Sequence, residues 1–146
     1  MKKNNKLEKI NVLFLCTGNS ARSQMAEAFL RKYAGGRYAV YSAGLQPSRV
    51  HPLTLQVMEE LGIDMSDHRS KHVQEYIGKI RFGYVITVCG HADKNCPFIP
   101  GMGTRLHWPF DDPAAAVGSE EERLAKFRLV RDEIKNKILD WVPVLS

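Results

Sequence analysis

The chain predicts an α/β domain built on a mainly parallel sheet. Strand-like apolar runs alternate with helix-like stripes along the whole length, the pattern of βαβ units. The first run, "INVLFL", is apolar at nearly every position, as a strand covered on both faces must be. No repeat, linker or low-complexity stretch interrupts the alternation, so residues 1–146 are expected to form one domain.

Each element follows from local chemistry. Ile10–Leu15 is the first strand. Ser20–Ala34 reads as a helix with Met25, Ala26, Phe29, Leu30 and Tyr33 on one face, ended by Gly35-Gly36. Tyr38–Ser42 suits a short strand, and "SAGLQPSR" suits a loop. Pro52 opens a second helix, striped by Leu53, Val57, Met58 and Leu61 and closed by Gly62. A short helix is expected over Ser70–Gly78. "YVITVC", Tyr84–Cys89, is rich in β-branched residues and forms the second strong strand. A loop full of glycine and proline follows, then a short strand over Arg105–Trp108. The last helix starts with a capping box, Ser119 and Glu122, and its stripe runs through Phe127, Val130, Ile134, Ile138 and Trp141 until Pro143 stops it.

Composition narrows the function. Of 146 residues, 44% are hydrophobic and 25% charged, values of a folded globular protein. No apolar run approaches the roughly 20 residues of a membrane helix. "MKKNNKLEKI" is basic but lacks the apolar core of a signal peptide, so a cytoplasmic location is expected, with the terminal lysines a solvated tail. The net charge of +5 suits an anionic ligand, yet the cations are scattered and form no stripe interleaved with aromatics, which argues against nucleic acid. His51, His68 and His72 read as loop or helix-surface residues, and Trp108 and Trp141 as packing. Three cysteines, Cys16, Cys89 and Cys96, are an odd number for a disulfide framework. Catalysis, a redox relay, metal binding and burial remain open to them.

Open α/β sheets bind ligands beyond the carboxyl ends of their strands. Cys16 and Cys89 both fall there. After Cys16 come Thr17, Gly18, Asn19, Ser20 and Ala21, all small or turn-competent, so that successive N–H groups can form an anion nest. The helix starting near Arg22 adds its positive end, and Arg22 offers a planar fork for a tetrahedral oxyanion. That field favours the thiolate of Cys16, to which the Ser23 hydroxyl can donate. The loop reads as nucleophile and oxyanion cradle together, without saying which oxyanion. Asp112 taken alone would be a turn former or helix cap.

"CTGNSARS" after a strand resembles the phosphate loop of the low-molecular-weight protein tyrosine phosphatases and of the arsenate reductases sharing their fold. "FDDP", Phe110–Pro113, is similar to the second signature of that group. "VCGHADKNCPFIPG", Val88–Gly101, and "HWPFDDPA" resemble the thioredoxin-coupled arsenate reductases, and the likeness runs from Asn11 to the final helix. It implies a three-layer sandwich around a four-stranded parallel sheet, flavodoxin-like, in the order 2-1-3-4. It implies Cys16 as nucleophile, Thr17–Ser23 with Arg22 as cradle, Asp112 as general acid, and Cys89 then Cys96 as resolving thiols. It further implies arsenate as substrate, phosphate or sulfate as competitors, thioredoxin or else glutaredoxin as reductant, and no cofactor. Nothing in the sequence demands more than a monomer.

Two departures stand out. Ala21 occupies a position where some relatives carry another cysteine. Some reductases bind potassium through positions matching Asn19, Glu27, Ser42 and an aspartate, and that last position is Lys71 here, whose ammonium could take the cation's place. The competing enzyme reading is a tyrosine phosphatase, which needs one thiolate and one acid. A third reading is an oxyanion or arsenite sensor. Zinc held by Cys89, His91, Cys96 and His107 lacks the paired spacing of common structural sites.

Overall fold

The computed structural model describes residues 8–142; the terminal lysines among residues 1–7 and Pro143 lie outside the described residues. The order is β1 (Ile10–Cys16), α1 (Arg22–Ala34), β2 (Tyr38–Gly44), α2 (Pro52–Glu59), β3 (Tyr84–Thr87), α3 (Gly90–Lys94), β4 (Thr104–His107) and α4 (Glu120–Trp141). Single 3₁₀ turns occur at Val73–Glu75 and Pro113–Ala115. All four strands are parallel and run β2-β1-β3-β4, as expected.

Because successive strand residues point to opposite faces, the complete burial of Val12, Leu13, Phe14 and Leu15 means that both faces of β1 are covered. The register separates the two sides. Val12 pairs with Val40 and Phe14 with Ser42 and Ile86 on one face. There Phe14 meets Trp108 at 5.9 Å and Trp108 meets Trp141 of α4 at 5.5 Å between ring centroids. Leu13 pairs with Tyr41 on the other face, where Tyr41, Tyr76 and Phe82 pack edge to face. The two tryptophans are packing residues.

The last helix forms as its sequence dictates. The Ser119 hydroxyl accepts from Glu122 N at 3.1 Å, and the Glu122 carboxylate accepts from Ser119 N at 2.7 Å. Phe127, Val130, Ile134 and Ile138 are fully buried. Arg131 reaches inward to the Val57 carbonyl of α2 at 2.9 Å and to Glu60 at 2.8 Å, which ties the two helices together.

Four expectations need correction. The helix over Ser70–Gly78 shrinks to one 3₁₀ turn, because the segment is occupied in closing the back of the site. The loop after Cys89 holds a short helix, α3, which Cys89 caps by accepting from Ala92 N. β3 accordingly stops at Thr87. His68 is no surface residue: 9% of its side chain is exposed and Nδ1 lies 2.9 Å from Gln24 Oε1.

Candidate active site

The loop between β1 and α1 works because something else takes its carbonyl groups. The chain after β2 lies alongside it, and four N–H groups point at it: Leu45 to Cys16 O (3.1 Å), Gln46 to Thr17 O (2.8 Å), Ser48 to Gly18 O (3.0 Å) and His51 to Ser20 O (3.1 Å). Gly44 makes the approach possible, since a Cβ there would lie 2.5 Å from Thr17 O. With the carbonyls held on one side, the N–H groups of Gly18, Ser20 and Ala21 make no hydrogen bond among the described residues. Ala21 precedes α1 without a side-chain cap, and the first turn has no acidic residue. Orphan N–H groups at a helix start are therefore available to an anion.

Cys16, 2% exposed, sits at the floor. Its sulfur meets the Asn19 N–H at 3.2 Å and Ser23 Oγ at 2.9 Å. Asn19 Nδ2 donates to Ser23 Oγ at 2.8 Å, which leaves the hydroxyl hydrogen free to point at sulfur. Two donors thus converge on Cys16, the arrangement a thiolate requires. The Asn19 N–H and the Ser23 hydroxyl are thus both turned toward the Cys16 sulfur. Asn19 takes φ +50, a region asparagine tolerates better than most side chains.

Cys16, Thr17, Gly18, Ser20, Ala21 and Arg22 line one cleft of about 390 Å³, walled by Ser48, Arg49, His51, Asp112 and Ala114. Arg22 donates to Phe110 O at 3.1 Å and lies 3.7 Å from Asp112 Oδ2. Asp112 also caps its 3₁₀ turn, accepting from Ala114 N at 3.0 Å, so the expected general acid is the expected turn former as well. An oxyanion in the cradle would compete with Asp112 for the guanidinium.

Cys89 is buried beside this loop, its sulfur 3.5 Å from Thr17 Oγ1. Cys96 stands apart, half-buried beyond α3 with its sulfur 3.6 Å from Pro97 O, and burial pushes its thiol above the ordinary value. All three cysteines are free. Between them, α3 is clamped to the sheet through Asp93. Its carboxylate accepts from Thr87 Oγ1 at 3.0 Å and from Arg105 at 2.9 Å, and Arg105 also donates to Asp93 O. His107 Nδ1 lies 2.9 Å from the same Thr87 hydroxyl.

Behind the loop, the Lys71 ammonium lies 3.2 Å from Asn19 Oδ1, 3.4 Å from Ser42 Oγ and 2.6 Å from Arg69 O. Ser42 Oγ donates to Glu27 at 2.6 Å. Of the other three positions singled out in the sequence, the ammonium touches two, Asn19 and Ser42, and the third, Glu27, holds Ser42 from its far side. Burial lowers its pKa while the Glu27 charge opposes that shift.

Sequence reasoning missed the Leu45–His51 strap, whose contacts are main-chain and leave no side-chain signature. It missed Gln24, fully buried, which donates to Asn19 O, Asn19 Oδ1 and Arg69 O. A glutamine on the buried face of an amphipathic helix was the available signal.

Comparison with known proteins agrees with this geometry. The model of the low molecular weight phosphotyrosine protein phosphatase family matches residues 11–146. An arsenate reductase of Halalkalibacterium halodurans is 49% identical over 128 residues, covering 87% of this chain and 91% of that one. A solved arsenate reductase in its phosphate-binding state superposes with a TM-score of 0.73 at 33% identity, covering 90% of this chain and 95% of that one. A thioredoxin-dependent arsenate reductase of Corynebacterium glutamicum gives 0.59 at 30% identity, covering 94% of this chain and 66% of that one. The chain belongs to the low molecular weight phosphotyrosine protein phosphatase family.

Proposed function

We propose that the protein reduces arsenate to arsenite through a relay of Cys16, Cys89 and Cys96, with thioredoxin as the electron donor in the cytoplasm. The observation that carries this reading is the second thiol, Cys89, at Thr17 on the edge of the cradle. Phosphate hydrolysis has no use for it. The relatives named arsenate reductase support the substrate class, and the cleft lining holds no Phe, Tyr or Trp to receive an aryl group.

The chemistry balances with these residues. The Cys16 thiolate attacks the arsenic of HAsO₄²⁻ held by the loop N–H groups and Arg22. A hydroxyl leaves as water with a proton from Asp112, giving an S–AsO₃²⁻ adduct. The Cys89 thiolate then attacks Cys16 sulfur. The S–S bond forms, the S–As bond breaks with its electron pair going to arsenic, and arsenite leaves after protonation. The Cys96 thiolate attacks Cys89, freeing Cys16, and the dithiol of thioredoxin reduces the resulting Cys89–Cys96 disulfide by two electrons.

The last exchange requires α3 to unwind. At helical rise the five residues of α3 alone span about 7.5 Å, already past the roughly 7 Å over which Cα atoms can be bridged. Phe98, 83% exposed two residues past Cys96, offers an apolar contact for the reductant. Three unpaired thiols suit a reducing compartment.

Mass spectrometry of the C96S variant after incubation with arsenate tests the relay. A trapped Cys16–Cys89 disulfide is expected. Its absence, with aryl phosphate hydrolysis that survives C89S and C96S, would establish a phosphatase instead. Arsenate-dependent NADPH consumption with thioredoxin and its reductase, run against a glutaredoxin system, identifies the donor.

A further inference from the structure

We infer that His51 is a specificity-determining contact for the bound oxyanion, donating its Nε2–H to an ionised outer oxygen and leaving the hydroxyl-bearing oxygen to Asp112. The inference rests on the reading of the Cys16 loop as an oxyanion cradle.

The tautomer is fixed by the fold. His51 is the residue before α2, and its Nδ1 accepts the Leu53 N–H at 3.0 Å. An accepting Nδ1 carries no proton, so in the neutral ring the hydrogen sits on Nε2. That atom makes no hydrogen bond among the described residues, and no buried side-chain nitrogen there lacks a partner. Nε2 is therefore not shut inside the fold, and His51 lines the cleft of Cys16, Arg22 and Asp112, where we place that hydrogen.

The ring is also held in place. Its own N–H donates to Ser20 O in the loop, and its ring lies tilted against the Phe127 ring of α4, 4.8 Å between centroids. Arg49, Arg123 and Asp112 are the charged groups acting on it. Burial first, then the two arginines, lower its pKa, and Asp112 opposes them, which keeps the neutral donor tautomer in place near neutral pH. A donor with no acceptor capacity at the open edge discriminates between the oxygens of a partly protonated oxyanion. Asp112, able to give or take a proton, faces the one that leaves.

The test uses the full reduced chain and inorganic phosphate as probe. Phosphate should protect Cys16 from iodoacetamide, read at the Cys16 peptide by mass spectrometry. H51N keeps an excellent helix cap but is too short to reach the cleft. It should melt close to the parent, while its protection midpoint rises about tenfold, the effect of losing one hydrogen bond to a charged group. H51A should show the same rise together with a lower melting temperature, from loss of the cap. An unchanged midpoint in H51N overturns the inference. No protection in the parent overturns the cradle reading as well, and so separates the two failures. Should H51N not fold, the parent alone decides: the His51 Nε2 ¹⁵N resonance must shift on phosphate titration, with His72 and His91 as controls, and a stationary resonance overturns the inference.

Discussion

Asn19→Ala should cost more stability than its single small side chain suggests. Asn19 is fully buried, and its side chain makes five hydrogen bonds: Nδ2 to Ser23 and Ser42, and Oδ1 from Gln24, Lys71 N and Lys71 Nζ. Four of these groups keep another partner. The Lys71 N–H does not, and a buried unsatisfied donor costs about 1–3 kcal/mol. Loss of the other four bonds adds about 1–2 kcal/mol after partial re-pairing, and alanine at φ +50 adds about 1 kcal/mol. The sum is about 3–6 kcal/mol. For a chain of this length that lowers Tm by about 10–20 °C. Thermal unfolding followed by circular dichroism reads it directly. Asn19→Gly relieves the backbone strain but restores no hydrogen bond, so it should recover only about 1 kcal/mol of the loss. A melting point within about 3 °C of the parent for N19A, or full recovery in N19G, would refute the argument that the side-chain hub holds the loop.

If the Lys71 ammonium, bonded to Asn19 and Ser42, stands where some relatives hold potassium, turnover should be equal in potassium and sodium chloride at matched ionic strength, and a strong preference for potassium would contradict this. Because burial lowers the Lys71 pKa in the fold, the native chain binds fewer protons than the unfolded one between that lowered value and 10.5. Stability should therefore rise with pH in that window, and urea titrations at pH 8 and 10 should show the rise diminished in K71M. Cys96 is pushed above 9.0 by burial, with Arg105 opposing that shift, so its alkylation in C16S/C89S should reach half-maximal rate above pH 9. A midpoint below that value would mean a more exposed thiol. Asp93 is held low, first by the Arg105 hydrogen bond, so its clamp is present above 3.8 and lost as pH falls through the depressed folded value. Asp93→Ala should speed Cys96 alkylation several-fold by freeing α3 while leaving Cys16 labelling unchanged; equal rates at Cys96 would show that the clamp does not hold the helix.

Much of the site was legible because its chemistry lies in contiguous residues. Cys16 through Arg22 fixes the loop, and two apolar runs of recognisable type mark the buried parallel strands, while the order of the four strands came from the family resemblance alone. What stayed hidden depends on contacts across the chain. Asn19 was grouped with the oxyanion donors because adjacency to the cysteine does not reveal which way an N–H points, and its own points at sulfur. The α3 helix was masked by glycine, proline and asparagine at its edges, and its stability comes from Asp93 meeting Arg105 on a distant strand. His51 and His68 were undistinguished histidines until packing gave one an open nitrogen and the other a buried glutamine.

The strap beside the catalytic loop makes its contacts with main-chain hydrogens alone. Side-chain scanning at 45, 46 and 48 would therefore find little, since the identity of Leu45, Gln46 or Ser48 does not enter the bond each one makes. Proline is the one residue that interrogates it, because proline has no hydrogen to give. Positions 45, 46, 48 and 51 are thereby closed to proline. The natural sequence already obeys that rule: Pro47 falls between the donors Gln46 and Ser48, and Pro52 just after the donor His51, at positions where the loop asks for nothing.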